Sequence, residues 1–132
     1  MSEENCPCGN ELTYENCCQI IHNDQSKART AEQLMRSRYT AFTMANGDYL
    51  MQSHVESHRP NNDKDQIVAW AKSVDWIKLE ITSKETGLEE NKAGIVEFNA
   101  FFQEGEHIKC LHEVSAFIKL KDIWYYVEAM NA

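Results

Sequence analysis

The segment CPCGNELTYENCC, residues 6–18, holds four of the chain's five cysteines, as a Cys-x-Cys pair and an adjacent pair. Whatever joins those thiols fixes the N-terminal segment, so this cluster constrains the fold more than any other feature. Three chemistries compete: a disulfide staple, a redox centre and a metal site. Cys17 and Cys18 have α-carbons about 3.8 Å apart across a trans peptide, shorter than the ~4.4–6.8 Å usual for a disulfide. The spacing lacks the Cys-x-x-Cys of thioredoxin-like sites, and no βαβ pattern surrounds it. No basic segment followed by an apolar stretch opens the chain, and its longest apolar run is the five residues Ile67–Ala71. Neither export nor membrane insertion is expected, and a cytoplasmic protein keeps its thiols reduced.

Four soft thiolates suit a tetrahedral Zn2+ with no open position, which makes a structural centre rather than a catalytic one. Cys6, Cys8, Cys17 and Cys18 are the expected metal ligands. Gly9 can adopt the positive φ that a tight metal-binding turn often needs, Pro7 stiffens the first pair, and Tyr14 offers a small apolar lid. His22 is the one nearby substitute ligand and reads as an ordinary exposed histidine outside the shell.

CPCG, then Tyr14, then Cys17-Cys18, resembles the SEC-C zinc motif found at the tail of the SecA translocation ATPase and in many small bacterial proteins. ARTAEQLMRSRYTAFTMANGDYL at 28–50 and LHEVSAFIKLKDIWYYVEA at 111–129 resemble the YchJ-like group, which pairs that motif with a nuclear-transport-factor-2-like domain. The resemblance implies the same four zinc ligands and a cystatin-like curved antiparallel sheet packed on helices. It carries over no catalytic residue. Where the SEC-C motif usually has basic residues around the tyrosine, this chain has Leu12, Thr13 and Glu15, so the basic surface of the SecA tail is lost.

Charge narrows the partners. Thirteen Lys and Arg stand against 21 Asp and Glu, a formal net charge of −8. Phosphate backbones and anionic lipids are repelled, so nucleic acid and membrane are poor candidates. Residues 1–24 carry Glu3, Glu4, Glu11, Glu15 and Asp24 with no Lys or Arg, which favours a protein partner with a basic surface.

Beyond the cluster, helical patterns precede strand patterns, which argues for an α+β domain with a mostly antiparallel sheet. The expected division is a zinc-binding module at 1–24 and the α+β domain at 25–132. Thr30 and Gln33 read as a capping box ahead of a stripe of Leu34, Met35, Tyr39, Ala41, Phe42 and Ala45, ended by Asn46-Gly47. Shorter helices are expected over 48–54 and about 63–74. From Trp76 the period becomes two: Ile77, Leu79 and Ile81 alternate, then Val96, Phe98, Ala100 and Phe102, and two more strands follow. Tyr39, Phe42, Trp70, Phe98 and Ile118 are expected in the core, with the outer face of the sheet available to a homodimer.

A sheet curved around helices can enclose a pocket. If alternation along 107–120 is unbroken, Ile108, Cys110, His112, Val114, Ile118 and Leu120 share the inner face. His112 then lies inside, as a general base or a satisfied core residue, and Cys110 is an inert core thiol; a bulge would turn Glu113 inward instead. His112, Glu113, Trp70 and Tyr39 are the candidate pocket residues. His54-x-x-x-His58 has metal-ligand spacing without the zincin glutamate, and Arg36 and Arg38 could grip a carboxylate or phosphate but read first as members of surface ion pairs. Two functions follow. The first is a non-enzymatic adaptor whose zinc knuckle contacts a protein. The second is a small-molecule binder, or an enzyme of isomerase, dehydratase or hydrolase type, using the pocket.

Overall fold

The computed structural model describes residues Asn5 to Asn131. Four helices, α1 (Cys18–Asn23), α2 (Ala31–Thr43), α3 (Gly47–Gln52) and α4 (Lys64–Ser73), precede four strands, β1 (Asp75–Thr86), β2 (Ala93–Glu104), β3 (His107–Leu120) and β4 (Ile123–Ala129). The strands form one antiparallel meander in sequence order, and the helices pack on one face of it.

Local sequence explains the helix ends. The Thr30 hydroxyl accepts the Gln33 N–H at 3.1 Å, and the Gln33 side chain reaches back to the Arg29 N–H at 2.6 Å, one residue earlier than in the standard box. Asn46 then caps α3 by accepting the Tyr49 N–H at 3.1 Å. The start of α2 sits on the β1–β2 turn, where the Ala31 N–H donates to the Gly87 carbonyl at 2.9 Å. Gly94 passes so close to this turn that a β-carbon on it would lie 2.5 Å from the Gly87 α-carbon.

Leu34, Tyr39 and Ala41 of α2, Leu50 of α3, and Val96, Phe98, Phe117 and Trp124 of the sheet make the core. Each large apolar side chain buried there contributes about 1.5–3 kcal/mol. Trp124, fully buried, donates its indole N–H to the Arg29 carbonyl at 3.2 Å, while its own carbonyl accepts from buried Gln25 at 2.8 Å. Those bonds fasten the chain entering α2 to the last strand.

The strand pairing shifts register at Trp76/Lys78, at Ile81/Ser83 and at Ala116/Phe117, and two strands differ from the expected alternation. In β1 the pairing register shifts between Trp76 and Lys78, so Ile77 bulges out to solvent while Trp76 and Leu79 point inward. In β3 the expected inner face is the outer one. Val96, Phe98 and Ala100 are buried and pair directly with Ser115, Glu113 and Leu111, and directly paired residues share a face. Glu113, Ser115 and Phe117 therefore point inward, and His112, Cys110 and Ile118 point outward. No bulge interrupts the β2–β3 pairing; the register alone decides. Apolar residues on both faces of β3 made the wrong face look like the core one. Tyr39 and Phe98 are buried as expected, Phe42 and Trp70 are half-buried, and Ile118 lies on the outer face.

Candidate metal centre and cavity

A Cys6–Gly9 turn begins the cluster. The Gly9 N–H donates to the Cys6 carbonyl at 3.1 Å, and Gly9 takes φ +98°, a left-handed conformation in which a β-carbon would be strained. Cys17 and Cys18 arrive at the start of α1 on the other side. All five cysteines are free, and the sulfurs of Cys6, Cys8, Cys17 and Cys18 lie within 4.8 Å of one another, with Cys8 and Cys17 3.6 Å apart. Four sulfurs at about 2.3 Å from one zinc stand about 3.8 Å apart, so the arrangement fits a tetrahedral thiolate centre. Cys6, Cys8 and Cys18 are buried and Cys17 is partly so.

The electrostatics of the four thiols are strongly mutual. The hydrogen bond from Cys18 leads the effects that draw the Cys8 thiol down to about 5. Burial, with the neighbouring sulfurs, pushes Cys17 up to about 11, and the Cys8 hydrogen bond, with burial, drives Cys18 upward as well. A thiolate on Cys8 is favoured there, while thiolates on Cys17 and Cys18 are opposed, a cost that a bound cation would offset.

Asn10 Nδ2 donates to Cys17 Sγ at 3.4 Å, and groups of α2 tie the cluster to that helix. The Thr40 hydroxyl donates to Cys18 Sγ at 3.3 Å and lies 3.7 Å from Cys6 Sγ. Arg36, ion-paired with Glu32 at 2.8 Å, donates to the Cys8 carbonyl at 2.5 Å. His22 is half-buried between module and domain rather than exposed. Its Nε2 faces the Ser37 carbonyl at 2.8 Å, which can only accept, so Nε2 carries the proton and Nδ1 accepts from the Tyr14 hydroxyl at 2.8 Å. Burial lowers the pKa of His22 and keeps it neutral. Both ring nitrogens are used, so His22 is no ligand.

The second feature is a cavity of about 250 Å3 between α2, α3, α4 and the sheet. Tyr39, Trp70 and Glu113 line it, together with Trp76, Tyr126 and Arg38. His112 does not; it sits on the outer face with Nε2 2.7 Å from Glu97 Oε2. Cys110 is likewise exposed on that face. Burial raises the pKa of Glu113, against an opposing pull from Arg38.

Arg38, read in the sequence as a surface residue, is buried. Its Nη1 donates to the Leu50 carbonyl at 2.9 Å and the Ser53 hydroxyl at 2.6 Å, and its Cζ lies 4.4 Å from the centre of the Tyr126 ring. The signal was present, because position 38 falls four residues from both Leu34 and Phe42 on the helix stripe. His54 also lines the cavity and gives its Nε2 proton to the Val127 carbonyl at 3.0 Å, while His58 is exposed and bonded to Ser57, so the pair forms no metal site. Trp124 is core, while Tyr39, Trp70, Trp76 and Tyr126 are cavity wall.

The fold and the cysteine cluster together define an α+β domain of the nuclear-transport-factor-2-like class carrying a SEC-C-type metal motif. The family described as YchJ, middle NTF2-like domain, matches residues 30–129. A UPF0225 protein of Vibrio parahaemolyticus is 43% identical over 125 residues, covering 93% of this chain and 72% of its own, and one from Haemophilus influenzae is 39% identical over 128 residues, covering 97% and 78%. The solution structure of a SEC-C motif containing protein from Rhodopseudomonas palustris superposes with a TM-score of 0.85 at 32% identity, covering 96% of this chain and 97% of that one. A crystal structure of a SEC-C motif containing protein from Psychrobacter arcticus gives 0.80 at 30%, covering 95% and 81%. The chain belongs to the YchJ (UPF0225) family. Among the described residues, no helix is long and apolar enough to cross a membrane.

Proposed function

We propose that this protein is a zinc-bearing adaptor, in which Cys6, Cys8, Cys17 and Cys18 hold one Zn2+ and the knuckle so fixed contacts a protein partner without performing chemistry. The observation that carries this reading is the exposure of apolar residues around a closed thiolate cluster. Leu12 and Ile20 are 52% and 46% exposed and border a groove beside Cys17. Zinc locks a loop too short to hold a shape by itself, and a locked loop with an apolar rim is suited to recognition. Glu11 and Glu15 are exposed on the same module and favour a basic surface on the partner. Affinity capture from cell extract tests the reading with three variants. Capture is expected to fail for Cys17→Ser and for the double change Leu12→Asp, Ile20→Asp, and to survive His112→Ala. Retained capture by the double variant, with zinc still bound, would reject it.

A second reading has its own support. The cavity beneath α2 is larger than the ~150 Å3 that accepts benzene, and it contains a buried cation and a carboxyl group within aromatic walls. That combination suits a small-molecule site. Saturable binding of small aromatic compounds, followed by tryptophan fluorescence, is expected if the cavity serves this purpose.

A further inference from the structure

The second reading leaves open what the cavity accepts, and the inference here rests on it. Arg38 is 6% exposed and lines the cavity. A guanidinium has five N–H donors. Both protons of Nη1 are used, on the Leu50 carbonyl and the Ser53 hydroxyl, which fixes the plane of the group. Among the described residues, no acceptor is bonded to Nε or Nη2, and no carboxylate oxygen lies within 4.0 Å of the side chain. Neither Nε nor Nη2 is sealed from solvent, so these three donors are open to water or to an acceptor on a ligand in the cavity.

Glu113 is the nearest candidate and does not form that pair. It lines the same cavity, but among the described residues it forms neither an ion pair nor a hydrogen bond with Arg38. The remaining wall is aromatic and aliphatic. Tyr126 stacks on one face of the guanidinium, and Trp70, Trp76 and Phe42 pack edge-on or tilted against one another and present an apolar wall to the cavity. A planar carboxylate would complete Arg38 through paired N–H donors, as guanidinium groups commonly do with carboxylates. Phosphate suits this cavity poorly, because it brings a second negative charge to a place with one cation and a carboxyl group.

We propose that the cavity binds a small aromatic or strongly apolar monocarboxylate, with its carboxylate on Arg38 and its apolar body against Trp70 and Trp76. Scaled from the ~150 Å3 site that holds benzene, the volume admits about ten non-hydrogen atoms.

The test uses the zinc-loaded full chain and three probes of one shape: cinnamate, cinnamamide and cinnamyl alcohol. Trp70 and Trp76 report occupancy by fluorescence, and the Arg38 Nε–H resonance reports the ion pair. Cinnamate is expected to saturate with a Kd of about 1 mM or tighter, at least about tenfold below the amide and the alcohol, and to shift the Arg38 resonance. Arg38→Lys is expected to lose that tenfold preference. Because that variant removes two buried hydrogen bonds, the comparison of probes on the unaltered chain stands as the deciding measurement. Equal affinity for all three, or saturation without movement of the Arg38 resonance, would overturn the carboxylate assignment while leaving the cavity a ligand site. No saturable binding of any probe up to about 10 mM would overturn both.

Discussion

The hydroxyl of Thr40 lies 3.3 Å from the sulfur of Cys18, across 22 residues of sequence, and it joins the cysteine cluster to the helix that forms the roof of the cavity. Hydrogen bonds of this kind orient ligating sulfurs and temper their charge, and their loss commonly weakens metal affinity by about 10–100-fold. Thr40→Val keeps the shape and removes the donor. The variant is expected to fold and to release zinc to a chelator at a concentration lower by about that factor, measured by competition with a chromogenic chelator.

Removal of the metal is expected to loosen the N-terminal module and leave the sheet standing. The core of Leu34, Phe98, Phe117 and Trp124 contains no cysteine ligand, so it keeps its own burial after chelation. Amide exchange should accelerate through residues 5–23 and, to a smaller degree, along the α2 face bearing Arg36 and Thr40. Strand amides of β2 and β3 should remain protected. Loss of protection throughout the sheet would show that the metal supports the whole fold.

Stability is expected to fall on mild acidification because of His54. Burial first, then the nearby Arg38 cation, hold this ring at about 4, whereas an unfolded histidine titrates near 6.5. Between those values the unfolded chain binds a proton that the folded chain does not, so stability is lost as pH falls through the window. Half-burial limits the His54 contribution to on the order of 1–2 kcal/mol. His22, also lowered by burial, acts in the same direction, and Glu113, raised by burial, opposes it. Urea unfolding between about pH 7 and pH 5 should show a steeper loss for the parent chain than for His54→Gln.

The two faces of the sheet should respond differently to truncation. Phe98→Ala empties a buried site and is expected to cost about 3–5 kcal/mol. His112→Ala removes an exposed contact with Glu97 and is expected to change stability by no more than about 0.5 kcal/mol. Thermal or denaturant unfolding of the two variants compares them directly. A large loss from His112→Ala would contradict the register of β3 against β2.

The sequence alone determined the four-cysteine cluster, the order of helices before strands and the antiparallel class of the sheet. These depend on local matters: cysteine spacing, the Thr30 cap, and hydrophobic periods of about four and two. Tertiary structure decided which side of β3 faces the cavity, because Ile108, Cys110, Val114 and Ile118 make its outer face apolar too, and only pairing with Val96, Phe98 and Ala100 breaks the tie. It also decided the environments of Arg38, Thr40, His22 and His54. A polar residue on a helix stripe reads as a surface residue until a distant carbonyl, sulfur or ring is brought against it. For Arg38 those partners are Leu50, Ser53 and Tyr126, and for His54 the Val127 carbonyl, 73 residues away. Hydrophobic patterning reports burial for apolar side chains. Burial of a polar side chain follows from hydrogen bonds that close across long stretches of chain, and local sequence carries no record of them.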